Sequence, residues 1–153
     1  MPDGIALWSI RTALLSVRDL DRSSAFYQDV LNVREVSRRY DMAILGTDLV
    51  GSPFTLCLRQ AERGAILPGQ QTIGIRALAY DVGSLSELDR IEARLRALDA
   101  FRDRTVLDPA VGFEVLFGQD PDRLALTFIA NETGSKASFD ESAAMARMYS
   151  MDA

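Results

Sequence analysis

Histidine is absent from this 153-residue chain, and its absence excludes several kinds of catalytic and metal chemistry at once. Without it there can be no Ser-His or Cys-His catalytic pair, and no zinc or iron site that depends on imidazole ligands. A single cysteine, Cys57, excludes an intrachain disulfide. Because Cys57 lies in a strongly apolar stretch, a buried structural thiol is the simplest interpretation.

Long apolar runs and an excess of basic residues are also missing. No stretch approaches the roughly 20 apolar residues that cross a bilayer, and residues 1–8 show no signal-type pattern. We therefore expect a cytoplasmic protein with no membrane partner. The net charge of −5 argues against a nucleic-acid partner, which requires a basic face. Arg34, Arg38 and Arg39 do form a local cluster, for which a solvated strand edge is the simpler interpretation, above all for Arg34.

The chain carries the same order of predicted elements twice: a strand, a helix and three further strands. The first strand is expected at 11–17, and its helix begins at Asp19 or Asp21 and ends near Leu31, where Asn32 tolerates the left-handed conformation. The three strands that follow are expected at 33–40, 42–45 and 54–60.

The order starts again after a linker at 61–71. The second helix opens with a capping box, in which Ser84 and Glu87 can each bond the other's backbone N–H. The strands of this half are expected at 72–82, 104–107, 112–117 and 124–130. Two halves of this length indicate internal duplication and an α+β fold of two βαβββ modules. The modules span about 8–60 and 72–130, and a tail with a short helix spans 131–153.

Three stretches, in this order, resemble the vicinal oxygen chelate superfamily, which includes glyoxalase I, extradiol dioxygenases and the fosfomycin- and bleomycin-resistance proteins. They are LLSVRDLDRSSAFYQDVLNV (14–33), IRALAYDVGSLSELDRIEARLRA (75–97) and VLFGQDPDRLALTFIA (115–130). The resemblance implies one vicinal oxygen chelate domain over 1–153, in which the two modules form a curved mixed sheet around a cleft. It also implies a small organic ligand and a homodimer.

Members of that superfamily usually hold a divalent metal with His and Glu side chains from the strands. Carried over by position, the two His ligands correspond to Thr12 and Ala77, the final Glu corresponds to Thr127, and the fourth ligand falls near Cys57. None of these residues replaces the family's ligands well, because Ala77 has no donor atom and hydroxyls are weak neutral ligands. We therefore expect no metal and no cofactor. The family's closing turn has a glycine where this chain has Arg123, so we expect that turn to avoid a left-handed residue.

Alternate residues of a strand share a face, so four strands are expected to line a largely small and apolar ligand pocket. The inward residues are Thr12, Leu14 and Ser16; Thr55, Cys57 and Arg59; Ala77, Ala79 and Asp81; and Ala125, Thr127 and Ile129. Among them Arg59 could grip a carboxylate or phenolate. Pairing of Arg59 with a nearby acid at the surface is the simpler alternative.

Three functions follow from these features. The first is a metal-free protein that binds a small organic molecule in the cleft between the modules. The second is a metal-independent enzyme for an aromatic or polyketide-like metabolite, with Glu114 as general base, if apolar residues bury it, and Tyr40 as its acid–base partner. The third is a non-catalytic regulatory subunit. In none of the three do we expect metal-dependent lyase or dioxygenase activity.

Overall fold

Each half of the chain forms a four-stranded sheet with one helix. The computed structural model describes residues 10–47, 54–67, 73–75, 77–108 and 113–131. The first half lies in a compact unit, Met1–Ala65, and the second in another, Ile66–Ala153. Both have the βαβββ order, which confirms the predicted fold class. The helix predicted in the tail lies outside the described residues.

The sheet of the first unit has the strand order β1-β4-β3-β2. Its elements are β1 (Thr12–Val17), α1 (Leu20–Leu31), β2 (Arg34–Arg39), β3 (Met42–Gly46) and β4 (Thr55–Gln60). β1 runs parallel to β4, whereas the other neighbouring strands are antiparallel. These bounds closely follow the predicted ones, because strand alternation and helix caps are local signals.

Local caps define both ends of α1. At its start the Asp19 carboxylate accepts a hydrogen bond from the backbone N–H of Arg22 at 3.0 Å. At its end Asn32 adopts the left-handed conformation, with φ 53°, as predicted. Alternate sheet residues and one side of α1 form the core of this unit. Its buried side chains include Leu15, Val17, Phe26, Tyr27, Val30, Ala43, Leu45, Leu56 and Leu58.

The second unit repeats the arrangement, with the strand order β5-β8-β7-β6. Its elements are β5 (Ala77–Gly83), α2 (Leu85–Ala97), β6 (Phe101–Asp108), β7 (Phe113–Gln119) and β8 (Ala125–Asn131). β6 is longer than predicted, because this edge strand carries several charged residues that interrupt its apolar pattern. Of the two described helices, neither is long and apolar enough to cross a membrane.

Only half of the predicted capping box forms at the start of α2. The Ser84 hydroxyl accepts a hydrogen bond from the Glu87 backbone N–H at 3.2 Å. The Ser84 backbone N–H, however, donates to the carbonyl of Val82 at 3.0 Å. The Glu87 carboxylate instead pairs with Arg90, one turn further along the helix, at 2.7 Å.

The turn between β7 and β8 corrects one expectation: Arg123 is left-handed, with φ 69°. The carboxylate of Asp120 holds this turn, since it accepts hydrogen bonds from the backbone N–H groups of Asp122 and Leu124, both at 2.8 Å. Such side-chain bonds can outweigh the roughly 1–2 kcal/mol that a left-handed conformation costs a residue with a Cβ. The glycine is therefore not required for the conformation.

Candidate functional site

One face of the first sheet lies opposite the core that it shares with α1, and we call it the open face. The register places alternate residues of three strands on it. They are Thr12, Leu14 and Ser16 of β1, Thr55, Cys57 and Arg59 of β4, and Met42 and Ile44 of β3. This confirms that the predicted inward residues of β1 and β4 share a face, and it adds two residues that sequence reasoning left out. The alternation of residues 42–45 indicated that Met42 and Ile44 share a face. The sequence did not show which strands lie beside them.

A pair of hydroxyls lies at one end of the open face. Thr12 and Thr55 are direct partners in the register, and their Oγ1 atoms are 2.8 Å apart, within hydrogen-bond distance. Thr12 occupies the first carried-over metal position. Its hydroxyl is neutral and already engaged by a second hydroxyl, so it is a poor ligand for a divalent ion.

Apolar side chains form the middle of the open face. Leu14 of β1 and Ile44 of β3 flank Cys57, because both are its partners in the register. Leu14 is 54% exposed, so it presents apolar area to solvent at this position. The expectation that Cys57 is a buried thiol is wrong: it is only half-buried, since its strand position turns it away from the core.

The other end of the open face is polar and cationic. Arg59 lies beside Ser16 on β1 and Met42 on β3. The Nε atom of Arg59 lies 3.4 Å from Oδ2 of Asp41, and both side chains are about half exposed. This is the surface pairing with an acid that the sequence offered as the simpler alternative for Arg59. So long and exposed an ion pair contributes little to stability, and a ligand can compete with it.

The cluster of three arginines divides between the two sides of the sheet. Arg38 turns towards α1, where it contacts Asp21 at 2.7 Å and Glu35 at 2.6 Å. Hydrogen bonding from Arg38 lowers the pKa of Glu35. Arg39 is the direct partner of Met42 and therefore lies on the open face. The interpretation of the cluster as a solvated edge therefore fits Arg39, which is exposed on the edge strand, but not Arg38, which pairs with two carboxylates.

The corresponding face of the second sheet is closed. Its register joins Ala79 to Thr127 and Thr127 to Phe117. Thr127 and Phe117 are 0% and 1% exposed, and the latter belongs to a buried apolar cluster. The cluster consists of Val115, Phe117 and Ala125, with Ala77 and Ile129 packed against it. Ala77 and Thr127, which correspond to two metal ligands of the superfamily, therefore lie on an apolar, largely buried face.

Glu114 lies on the opposite side of this sheet, facing α2. Glu114 and Gly118 are four residues apart on β7 and therefore share a face. Gly118 faces α2, since a Cβ built on it would lie 3.0 Å from Cδ1 of Leu95. Arg104 reaches Glu114 at 3.2 Å and also contacts Asp89 and Glu92, each at 2.7 Å. Glu114 therefore has a charged partner in place of the apolar neighbours that its role as a general base requires.

Tyr40, the other residue chosen for acid–base chemistry, lies in the turn between β2 and β3. It is fully exposed and has a left-handed backbone, with φ 44°. An aromatic residue rarely adopts this conformation, for which glycine or asparagine is typical. With its side chain fully exposed, Tyr40 packs against no apolar residue of the described ranges.

The carried-over metal positions do not fit a divalent ion. They provide two hydroxyls, one thiol and one methyl group, whereas divalent metals in proteins select imidazoles, carboxylates or several thiolates. Within the described ranges, no group of three or more Asp, Glu or Cys side chains could hold a metal ion.

No family model and no curated protein matches the sequence. Solved structures do match the fold. A glyoxylase/bleomycin resistance protein/dioxygenase domain from Frankia sp. EAN1pec is 28% identical, with a TM-score of 0.68 over 83% of this chain and 100% of that chain. The fosfomycin resistance protein FosX from Listeria monocytogenes is 18% identical, with a TM-score of 0.62 over 81% and 93% of the two chains.

A third similar structure is the lactoylglutathione lyase from Agrobacterium tumefaciens, at 18% identity and a TM-score of 0.58, covering 88% of this chain and 100% of that one. The fold is that of the vicinal oxygen chelate superfamily, as the three sequence stretches predicted. Of the three structures, the Frankia domain has the highest identity and TM-score, and the two others show the fold alone.

Proposed function

We propose that this protein binds a small organic molecule without a metal, and that the open face of the first sheet is part of the binding site. The observation that carries the proposal is the donor set at the four carried-over metal positions. Thr12, Cys57, Ala77 and Thr127 cannot supply the ligands that the fold usually provides. What the open face supplies instead is apolar area with polar groups at both ends.

The composition of the open face is typical of a ligand surface. Ligand sites combine a mostly apolar lining with a few polar groups that fix the ligand's orientation. On this face Leu14, Ile44 and Cys57 supply the apolar part, and they lie between the Thr12 hydroxyl and the Arg59 guanidinium. Exposure of the Leu14 side chain to water is unfavourable, and an apolar ligand bound over it would remove that apolar area from water.

Binding is better supported than the catalysis suggested for Glu114 and Tyr40. Glu114 faces α2 and is paired with Arg104, so it lies away from the face that carries Ala77 and Thr127. A general base must reach the proton that it removes, within hydrogen-bond distance or through one water. The ion pair with Arg104 instead connects β7 to β6 and α2, which is a structural role.

Metal analysis of the purified protein tests the metal-free part of the proposal. We expect no stoichiometric iron, manganese, nickel or zinc by mass spectrometry, and no rise in Tm when these ions are added after treatment with a chelator. A ligand that binds only the folded state must raise Tm, so a bound metal would show in both measurements. One tightly bound metal ion per chain would contradict the proposal.

A thermal-shift screen against drugs and aromatic metabolites tests binding. Leu14→Glu places a charge in the middle of the open face, and we expect it to abolish the shift produced by any hit. Leu98→Glu is the matched control, because Leu98 follows α2 and is 44% exposed. Loss of binding in both variants, or in neither, would contradict our placement of the site. A protein that responds to no compound would support the regulatory-subunit alternative.

We also infer a homodimer from the resemblance to the superfamily. Analytical ultracentrifugation of the purified protein checks this inference, and we expect the mass of two chains. A monomer across the accessible concentration range would contradict it.

A further inference from the structure

We infer that the open face binds an aromatic carboxylate, with the carboxylate held between Arg39 and Arg59 and the ring lying on the apolar middle of the face. The inference rests on the proposed function and deepens it, because it names the chemical class of the ligand. It also assigns a role to Arg39, which the sequence had placed at a solvated edge.

The register brings Arg39 and Arg59 to opposite sides of one residue. Met42 of β3 is the direct partner of Arg39 on β2 and of Arg59 on β4. Directly opposed residues share a face, so both guanidinium groups extend from the open face. Neighbouring strands lie about 4.8 Å apart, which places the two Cα atoms roughly 10 Å from each other. Both arginine side chains are long enough to extend over Met42 and bind the same anion.

The charges at this end of the open face favour a monoanion. The Arg39 side chain is exposed, and no hydrogen bond or ion pair joins it to another residue of the described ranges. Arg59 has one acidic neighbour, Asp41, at 3.4 Å. Two guanidinium groups and this carboxylate leave one positive charge, which one carboxylate neutralises. A phosphate dianion would leave an excess of negative charge beside Asp41.

The spacing along the strands places a ring over the apolar residues. Residues two apart on a strand are separated by about 6.6 Å, so Leu14, Cys57 and Ile44 lie one such step from the cationic end. An aromatic ring attached to the carboxylate extends over most of that step. The planar guanidinium fork binds carboxylates in a bidentate manner, which fixes the ring's direction along the face. A second step leads to the hydroxyls of Thr12 and Thr55, which can bond a polar group at the far end of a longer ligand.

Titration with 1-naphthoate and its neutral counterpart, 1-naphthamide, tests the inference by isothermal calorimetry or by amide chemical shifts. The two probes share one apolar body, so a difference in their affinities reports the carboxylate. We expect 1-naphthoate to bind at least 10-fold more tightly than the amide, and its affinity to fall as salt is added. Arg39→Gln and Arg59→Gln should each weaken naphthoate binding about 5- to 30-fold and leave the weak amide binding unchanged.

Arg34→Gln is the matched control, because Arg34 begins the same strand and pairs with Gly46 at the other end of the sheet. It should retain naphthoate affinity. Equal affinity for the two probes, or full affinity in both glutamine variants, overturns the inference and leaves the proposed function standing. If neither probe binds and no neutral compound raises Tm, the proposed function fails, and this inference fails with it.

Discussion

The two halves of the chain share one topology but use their sheets differently. In each unit the side of the sheet that faces the helix is a core, with Leu58 in the first and Phe128 in the second fully buried. The other side is half exposed in the first unit, where Leu14 is 54% exposed, and closed in the second, where Phe117 is 1% exposed. A duplicated fold can therefore keep one face for stability and let the other diverge. We place ligand binding on the first sheet and expect the second to contribute mainly stability.

The edge strands of the two halves show the same kind of difference. β2 carries Arg38 and β6 carries Arg104, and each arginine connects its sheet to acidic residues of the neighbouring helix. The Arg104 side chain is 18% exposed and that of Arg38 is 36% exposed. Arg104 also has one more acidic partner, Glu114 of β7. The second half thus has the more buried ion-pair network, in keeping with its more buried sheet.

The largest expected effect tests the contrast between the two sheet faces. Phe117 faces Thr127 in the second sheet as Ile44 faces Cys57 in the first. Phe117→Ala should lower the free energy of unfolding by about 3–5 kcal/mol, because it removes a fully buried aromatic side chain. Ile44→Ala should cost less than half as much, since Ile44 is only half-buried. Urea unfolding followed by circular dichroism measures both. Equal losses would contradict the difference between the two faces.

The arginine pair gives the next largest effect. Arg104→Gln leaves Glu92, Asp89 and Glu114 without their shared cation, and we expect it to lower the free energy of unfolding by about 1–3 kcal/mol. Arg38→Gln should cost less, because its ion pairs are more exposed and solvent screens them. Chemical unfolding of both variants in low and in 1 M salt separates the two cases. A larger loss in Arg38→Gln would reverse our ranking of the two networks.

Most of the fold could be predicted from the sequence because its signals are local. The caps at Asp19 and Ser84 and the alternation along each strand depend on residues close in the chain, and they located the elements of both halves. The left-handed Arg123 could not be predicted in this way. Its conformation depends on two hydrogen bonds to the Asp120 side chain, which outweigh the preference of the arginine itself.

The candidate site could be predicted only where the residues that share a face lie on the same strand. Alternation grouped Thr12 with Leu14, and Cys57 with Arg59, without knowledge of the neighbouring strands. Which side Glu114 faces depends on the register of β7 against β8, where a shift of one residue reverses every side chain. The position of Arg39 and Arg59 on either side of Met42 depends on β3 lying between β2 and β4, a strand order that neither residue's local sequence contains.

A smaller effect is expected at the turns that join two strands, where each half has one described left-handed residue with a Cβ. These residues are Tyr40 between β2 and β3 and Arg123 between β7 and β8. A substitution by glycine removes the strain of the left-handed conformation, which is about 1–2 kcal/mol. It also gives the unfolded chain more conformational freedom, which costs about 0.5–1 kcal/mol of stability. Arg123→Gly should therefore raise the free energy of unfolding by roughly 0.5–1 kcal/mol in a urea titration. Arg123→Ala, which keeps the Cβ, is the control and should bring no gain; a gain in it would show that the backbone conformation is not the cause.

The smallest effect is a dependence on pH to which both halves contribute. Hydrogen bonds from Arg38 and Arg104 lower the pKa values of Glu35 and Glu92, respectively, below the ordinary value of 4.5. A carboxyl whose pKa is lower in the folded state stabilises the fold above its unfolded pKa, and that contribution is lost as the pH falls through the folded value. Glu92→Gln and Glu35→Gln should each reduce the loss of stability between pH 5 and more acidic conditions, whereas Glu62→Gln, at an exposed position, is the control. Urea titrations at a series of pH values measure this. An unchanged acid dependence in Glu92→Gln would mean that the Arg104 network does not stabilise the charged form of Glu92 over its protonated form. The comparison of the two halves would then depend on the burial of their side chains alone.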